Sequence, residues 1–100
     1  MSKASEFLNL FETNKMFTKT TTKNLHVKFE ADSDEYEENK TDVEIEVTWE
    51  SDPSVNWNSV YWEYTPDTKS RLEHDYTKNE RERIETIVDH MVRNDYEEWF

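Results

Sequence analysis

The sequence predicts an α+β fold: a three-stranded antiparallel sheet packed against a C-terminal amphipathic helix. Two observations carry this. Apolar residues alternate with polar ones over three short segments between residues 25 and 64, and near residue 77 the apolar spacing changes from two to about 3.6. A third observation sets the topology: the turn between the second and third segments is short, which favours antiparallel neighbours. One hundred residues are expected to form one domain, 1–100. Its parts are an N-terminal helix and connection over 1–23, a sheet over 24–64 and a helix over 77–97.

The elements follow in order. Ser5 precedes the apolar stripe Phe7, Leu8, Leu10 and Phe11 and predicts a short N-terminal helix, marginal unless docked. Residues 13–23 are rich in Thr and Lys and read as a connection. In the first strand Leu25, Val27 and Phe29 share a face opposite His26, Lys28 and Glu30. Residues 31–41 are nearly all polar and read as a solvated loop. In the second strand, Asp42 to Glu50, Val43, Ile45, Val47 and Trp49 alternate with Glu44, Glu46, Thr48 and Glu50. Ser51-Asp52-Pro53-Ser54 forms the next turn. The third strand spans about Val55 to Tyr64, with Val60, Trp62 and Tyr64 on one face. Val55 and Trp57 have the other parity: a bulge near Asn58-Ser59 would bring both sets to one side, whereas a regular strand keeps Tyr61 on the face opposite Val60 and Trp62. Residues 65–76 read as a connection.

Thr77, with Glu80 three residues later, is a capping box, and Ile84, Ile87, Val88, Met91 and Val92 follow at helical spacing. The predicted core is Val27, Phe29, Val43, Ile45, Val47, Trp49, Val60, Trp62, Ile84, Ile87, Val88 and Met91. Strand order is left open by the pattern.

Composition narrows the function. Apolar residues are 33% of the chain and aromatic ones 14%, so a few large side chains must supply the core. There is no cysteine to form disulfides and no glycine to build a phosphate-cradling loop. A turn needing positive φ must therefore use Asn or Asp. The apolar run within Met1 to Phe11 is too short for a signal peptide, and no segment approaches the length of a membrane span. The expected location is the cytoplasm, that of the host cell if a phage encodes the chain, and Asn39-Lys40-Thr41 is a coincidental sequon.

The formal net charge is −12, and it is uneven. Residues 1–29 hold five Lys against two Glu, a net of +3. Residues 30–52 hold eleven acids against one Lys, a net of −10. Residues 53–100 hold eleven acids against six bases, a net of −5. Such a surface repels nucleic acid and anionic lipid and attracts basic surfaces.

Candidate sites are weighed on that basis. Asp32-x-Asp34 opens like a calcium loop, but Tyr36 stands at the fifth position, Glu37 where glycine is required and Val43 at the twelfth. His26, His74 and His90 have no metal-ligand spacing, and no serine carries a nucleophile signature. No metal, cofactor or catalytic residue is expected, and so no enzyme activity. Partner binding is expected instead at Asp32, Asp34, Glu35, Tyr36, Glu37 and Glu38 on the loop. It continues through Glu44, Glu46 and Glu50 on the polar face of strand two, with Tyr61 beside them. The alternative is an adaptor that docks through the aromatic sheet face without charge complementarity. Exposed aromatics on that face would favour a homodimer, against the repulsion of like-charged copies.

The chain also resembles the small acidic accessory proteins encoded by tailed bacteriophages. The resemblance rests on Met1-Ser2-Lys3-Ala4-Ser5-Glu6-Phe7-Leu8, on Ser59-Val60-Tyr61-Trp62-Glu63-Tyr64 and on Glu80-Arg81-Glu82-Arg83-Ile84-Glu85, together with size, composition and order of elements. It implies an inhibitor of host defence enzymes, of the kind that imitates the charge of DNA, and it carries over no individual functional residue.

Overall fold

The computed structural model describes residues 17–32 and 37–100. The expected N-terminal helix lies outside them, as do Asp34, Glu35 and Tyr36. The described chain runs β1 (Phe17–Glu30), β2 (Glu38–Asp52), β3 (Trp57–Tyr64), α1 (Pro66–Asp75) and α2 (Lys78–Trp99). The three strands form an antiparallel sheet in the order β1-β2-β3. The α+β class and the C-terminal helix on the sheet are as the sequence predicts.

Alternation sorts the strands onto two faces. Leu25, Val27, Phe29, Val43, Ile45 and Val47 point toward α2 and are buried. They meet Ile84, Val88 and Val92, which recur every fourth residue along one stripe of α2. Leu72 of α1 completes this core. Val60, Trp62 and Tyr64 of β3 pack against it but are only partly buried, as are Ile87 and Met91. The backbone of α2 runs closest to β1 and approaches β3 less, leaving the β3 margin less covered.

Four expectations are corrected. Residues 17–23 are not a connection: β1 starts at Phe17 and pairs with β2 as far as Phe17↔Ser51. Its helix-side positions there are Phe17, Lys19, Thr21 and Lys23, and the ammonium groups of the two lysines lie 5.3 Å and 5.5 Å from the ring centres of Trp49 and Trp99. Lysines that cover aromatic rings bury their stems without an apolar signature. The loop after β1 is shorter than expected, because β2 already begins at Glu38. No bulge occurs in β3; pairing with β2 is continuous from Ile45↔Tyr64 to Asp52↔Trp57. Trp57 therefore sits on the face away from α2. Finally, residues 66–75 are a helix, opened by Pro66 at its first position, where the missing N–H costs nothing.

Helix α1 also solves an edge problem. β3 pairs only with Ile45–Asp52, which leaves the backbone of residues 38–44 open on that side. Thr65 N–H donates to the Glu44 carbonyl at 3.0 Å, and Glu44 N–H donates to Thr68 Oγ1 at 3.1 Å. Arg71 donates to the Asp42 carbonyl and, at 3.0 Å, to Thr41 Oγ1. The chain leaving β3 thus covers the part of β2 that β3 does not reach.

The turn between β2 and β3 bears out the reasoning from absent glycine. Asn56 takes φ 55°, the positive value the turn demands. Asp52 Oδ1 accepts from Ser54 N–H at 3.0 Å and from Ser54 Oγ at 2.6 Å, and Val55 N–H donates to the Asp52 carbonyl at 3.3 Å.

Candidate functional site

The face of the sheet away from α2 carries no described helix. Its residues follow from parity and register. On β2 they are Glu38, Lys40, Asp42, Glu44, Glu46, Thr48, Glu50 and Asp52. Across from Glu46 lie Thr22 on β1 and Glu63 on β3. Across from Thr48 lie Thr20 and Tyr61, and across from Glu50 lie Thr18 and Ser59. Trp57 pairs with Asp52 at the far end.

The face divides into two chemistries along the strands. Near the β1–β2 turn both signs of charge occur: His26 Nδ1 lies 2.5 Å from Asp42 Oδ1, and the opposed lysines Lys28 and Lys40 are followed on the same face by the opposed carboxylates Glu30 and Glu38. Beyond residue 44 the described cations run out. Glu44, Glu46, Glu50 and Glu63 stand among Thr18, Thr20, Thr22, Thr48 and Ser59. Glu46 and Glu63 are directly opposed across neighbouring strands about 4.8 Å apart. Like charges so placed are destabilising. Along β2, alternate side chains recur every ~6.8 Å, so Glu44 and Glu46 form a row.

Aromatic surface adjoins this row. Tyr61 is 53% exposed and Trp57 45%. Tyr61 Oη donates to Glu50 Oε1 at 2.8 Å, and that carboxylate raises the phenol's pKa above its ordinary 10.0. Thr20 and Thr48 bridge hydroxyl to hydroxyl at 3.2 Å beside it.

The predicted site residues are thus distributed unequally. Glu44, Glu46, Glu50 and Tyr61 come together on the open face. Glu38 shares that face but lies at its other end, opposite Glu30. Glu37 is exposed at the turn, where its carbonyl accepts from Ala31 N–H at 2.9 Å. Asp32 is engaged within the chain: its carboxylate accepts from Thr77 Oγ1 at 2.5 Å and pairs with Arg83 Nη1 at 2.7 Å. Those two bonds hold it below the usual carboxylate range, Thr77 contributing most. Its N–H donates to Glu80 Oε2 at 3.0 Å, while Glu80 Oε1 accepts from Thr77 N–H at 3.0 Å. Asp32 and Glu80 therefore fasten the end of the β1–β2 hairpin to the start of α2. Sequence reasoning missed Glu63 and Asp52 as members of the open face. The parity that placed Tyr61 opposite Trp62 would have found Glu63.

Carboxylates in a row beside exposed aromatic rings are suited to contact with a basic surface. Among the described residues no group of three or more His, Cys, Asp or Glu side chains could hold a metal ion, and no helix is long and apolar enough to cross a membrane. Fold and face together define a small α+β domain with one helix-covered apolar face and one open acidic, aromatic face. No family model matches the chain, and neither a curated protein nor a solved structure is significantly similar to it.

Proposed function

We propose that this protein is a non-catalytic inhibitor that lays its open acidic sheet face against a basic, nucleic-acid-binding surface of a protein partner. The observation that carries the reading is the direct opposition of Glu46 and Glu63, flanked by Glu44 and Glu50, with no described cation beyond residue 44 on that face. A stable sheet gains nothing from such a placement, whereas a Lys/Arg-lined partner neutralises all four carboxylates at once. The carboxylate row along β2 imitates a line of phosphates, and the phage-protein resemblance fits the same role. Tyr61 and Trp57 add short-range contacts to long-range attraction.

The test is capture from host-cell lysate. Proteins retained by the wild type are released by high salt and by duplex DNA, and the variant Glu46→Lys/Glu50→Lys/Glu63→Lys retains none of them. Retention by that folded variant with the same salt response would end the proposal.

A second reading is favoured by the exposure of Trp57 and Tyr61. There the same face serves as an adaptor through its aromatics alone. Binding would then vary little with ionic strength, and Trp57→Ala or Tyr61→Ala would weaken it more than the three charge reversals.

A further inference from the structure

The outer edge of β3 is a second feature that invites a partner. The Thr65–Glu44 backbone bond fixes which residues of β3 face β2. In an antiparallel ladder, hydrogen-bonded pairs alternate. Since Thr65 bonds to Glu44, the pairs Glu63–Glu46, Tyr61–Thr48 and Ser59–Glu50 also exchange their bonds. The backbone N–H and C=O groups of Val60, Trp62 and Tyr64 therefore point outward. β3 is the last strand of the sheet, and no other described strand pairs with that edge.

A cleft of about 810 Å³ runs beside this edge, between β3, α1 and α2. Its β3 wall is Trp62 and Tyr64, whose rings pack edge to face at 5.0 Å. Its α2 wall carries Glu82, Glu85 and Asp89. Asp89 Oδ1 accepts from the Trp62 indole at 3.1 Å, and Asp89 Oδ2 accepts from Arg93 at 2.9 Å. On the open side of the same strand stands Glu63. The cations of the cleft, Lys69 and Arg81, come from α1 and the start of α2, and carboxylates outnumber them. The Tyr64 hydroxyl and Arg81 Nε, both lining the cleft, are buried with no hydrogen-bond partner.

We infer that the outer edge of β3 accepts an extended, basic segment of a partner protein as a fourth strand, its backbone bonding to Val60, Trp62 and Tyr64 and its Lys or Arg side chains reaching Glu85 and Glu82 across the cleft. Strand addition of this kind takes affinity from main-chain bonds and specificity from the alternate side chains. Charge decides the occupant. A second copy adding its own β3 would set Glu63, Glu82 and Glu85 against themselves. The other sheet edge, β1, bears Lys19, Lys23 and Lys28, and lysines on an edge discourage pairing. The inference shares with the proposed function only the basic character of the partner; the surface is a different one.

The probe is a blocked hexapeptide of alternating Arg and Val, compared with the same peptide N-methylated at alternate residues in either phase. The full chain is titrated while amide exchange and chemical shifts are followed residue by residue. We expect slowed exchange at Val60, Trp62 and Tyr64, with little change at Tyr61 and Glu63, which already bond to β2. N-methylation on the pairing edge weakens binding about tenfold or more, since it removes donors and blocks approach. Glu85→Arg weakens it similarly, and Glu46→Lys/Glu50→Lys leaves it in place. Binding that ignores N-methylation but is lost in Glu46→Lys/Glu50→Lys would overturn the edge site while leaving the face reading intact. Absence of binding, or protection of Val60, Trp62 and Tyr64 that grows with protein concentration alone, would also overturn it. The latter would assign the edge to a second copy.

Discussion

The two faces of the sheet are built by the same strands and differ in every other residue. On β2, Val43, Ile45 and Val47 are buried against α2, while Glu44, Glu46 and Glu50 look the other way. The covered face removes its apolar surface from water and supplies the stability of the domain. The open face works against stability where Glu46 opposes Glu63. One face serves folding and the other, on the function proposed above, serves recognition, and adjacent substitutions should separate the two.

The largest contrast is between neighbours. Ile45→Ala removes a side chain with no solvent exposure and should destabilise the domain by about 2–5 kcal/mol, since the cavity cannot fully collapse. Glu46→Ala, one residue on, should leave stability unchanged or raise it by a few tenths of a kcal/mol. Denaturant unfolding of both variants measures the difference. Equal losses would show that the open face also holds the fold together.

A smaller effect is expected where the hairpin is fastened to α2. Glu80→Ala removes the acceptor for Thr77 N–H and for Asp32 N–H and should cost about 1–2 kcal/mol by the same measurement. A loss confined to a few tenths would mean that the core alone positions the helix.

The pH dependence should be smaller again. Asp32 and Glu80 lie below their ordinary values of 3.8 and 4.5, Asp32 through Thr77 and Glu80 through the backbone of Thr77. A carboxylate with a lowered folded pKa contributes stability above its unfolded pKa and loses it as pH falls through the folded value. The contribution of both groups should therefore be constant from about pH 8 to 5 and fall below about pH 4. Asp32→Asn should lower stability at neutral pH and flatten the acid limb. An acid limb identical to that of the wild type would contradict this assignment.

How far the sequence discloses this comparison depends on where each residue finds its partners. The β2 alternation reads directly, because a half-buried strand must alternate. The capping box at Thr77 and Glu80 reads directly too, because its bonds lie within one helical turn. The first half of β1 does not, since Lys19 and Lys23 pack on rings supplied by residues 49 and 99. Helix α1 hides for a related reason: of its ten residues only Thr68 and Leu72 are buried, too few for a periodic stripe. Thr65-Pro66-Asp67 was a legible helix start all the same. On the open face, Glu44, Glu46, Glu50 and Tyr61 were within reach of parity. Asp32 was not, for its partners Thr77 and Arg83 lie far along the chain.

The most direct test measures stability and binding on one variant. Glu46→Lys/Glu50→Lys/Glu63→Lys should unfold at nearly the same temperature as the wild type, because the reversal exchanges one like-charge opposition between positions 46 and 63 for another. It should at the same time lose the salt-sensitive, DNA-competed binding to a basic partner. A variant that keeps full binding with an unchanged salt dependence would contradict the account, and would return the acidic face to the role of a solvated surface.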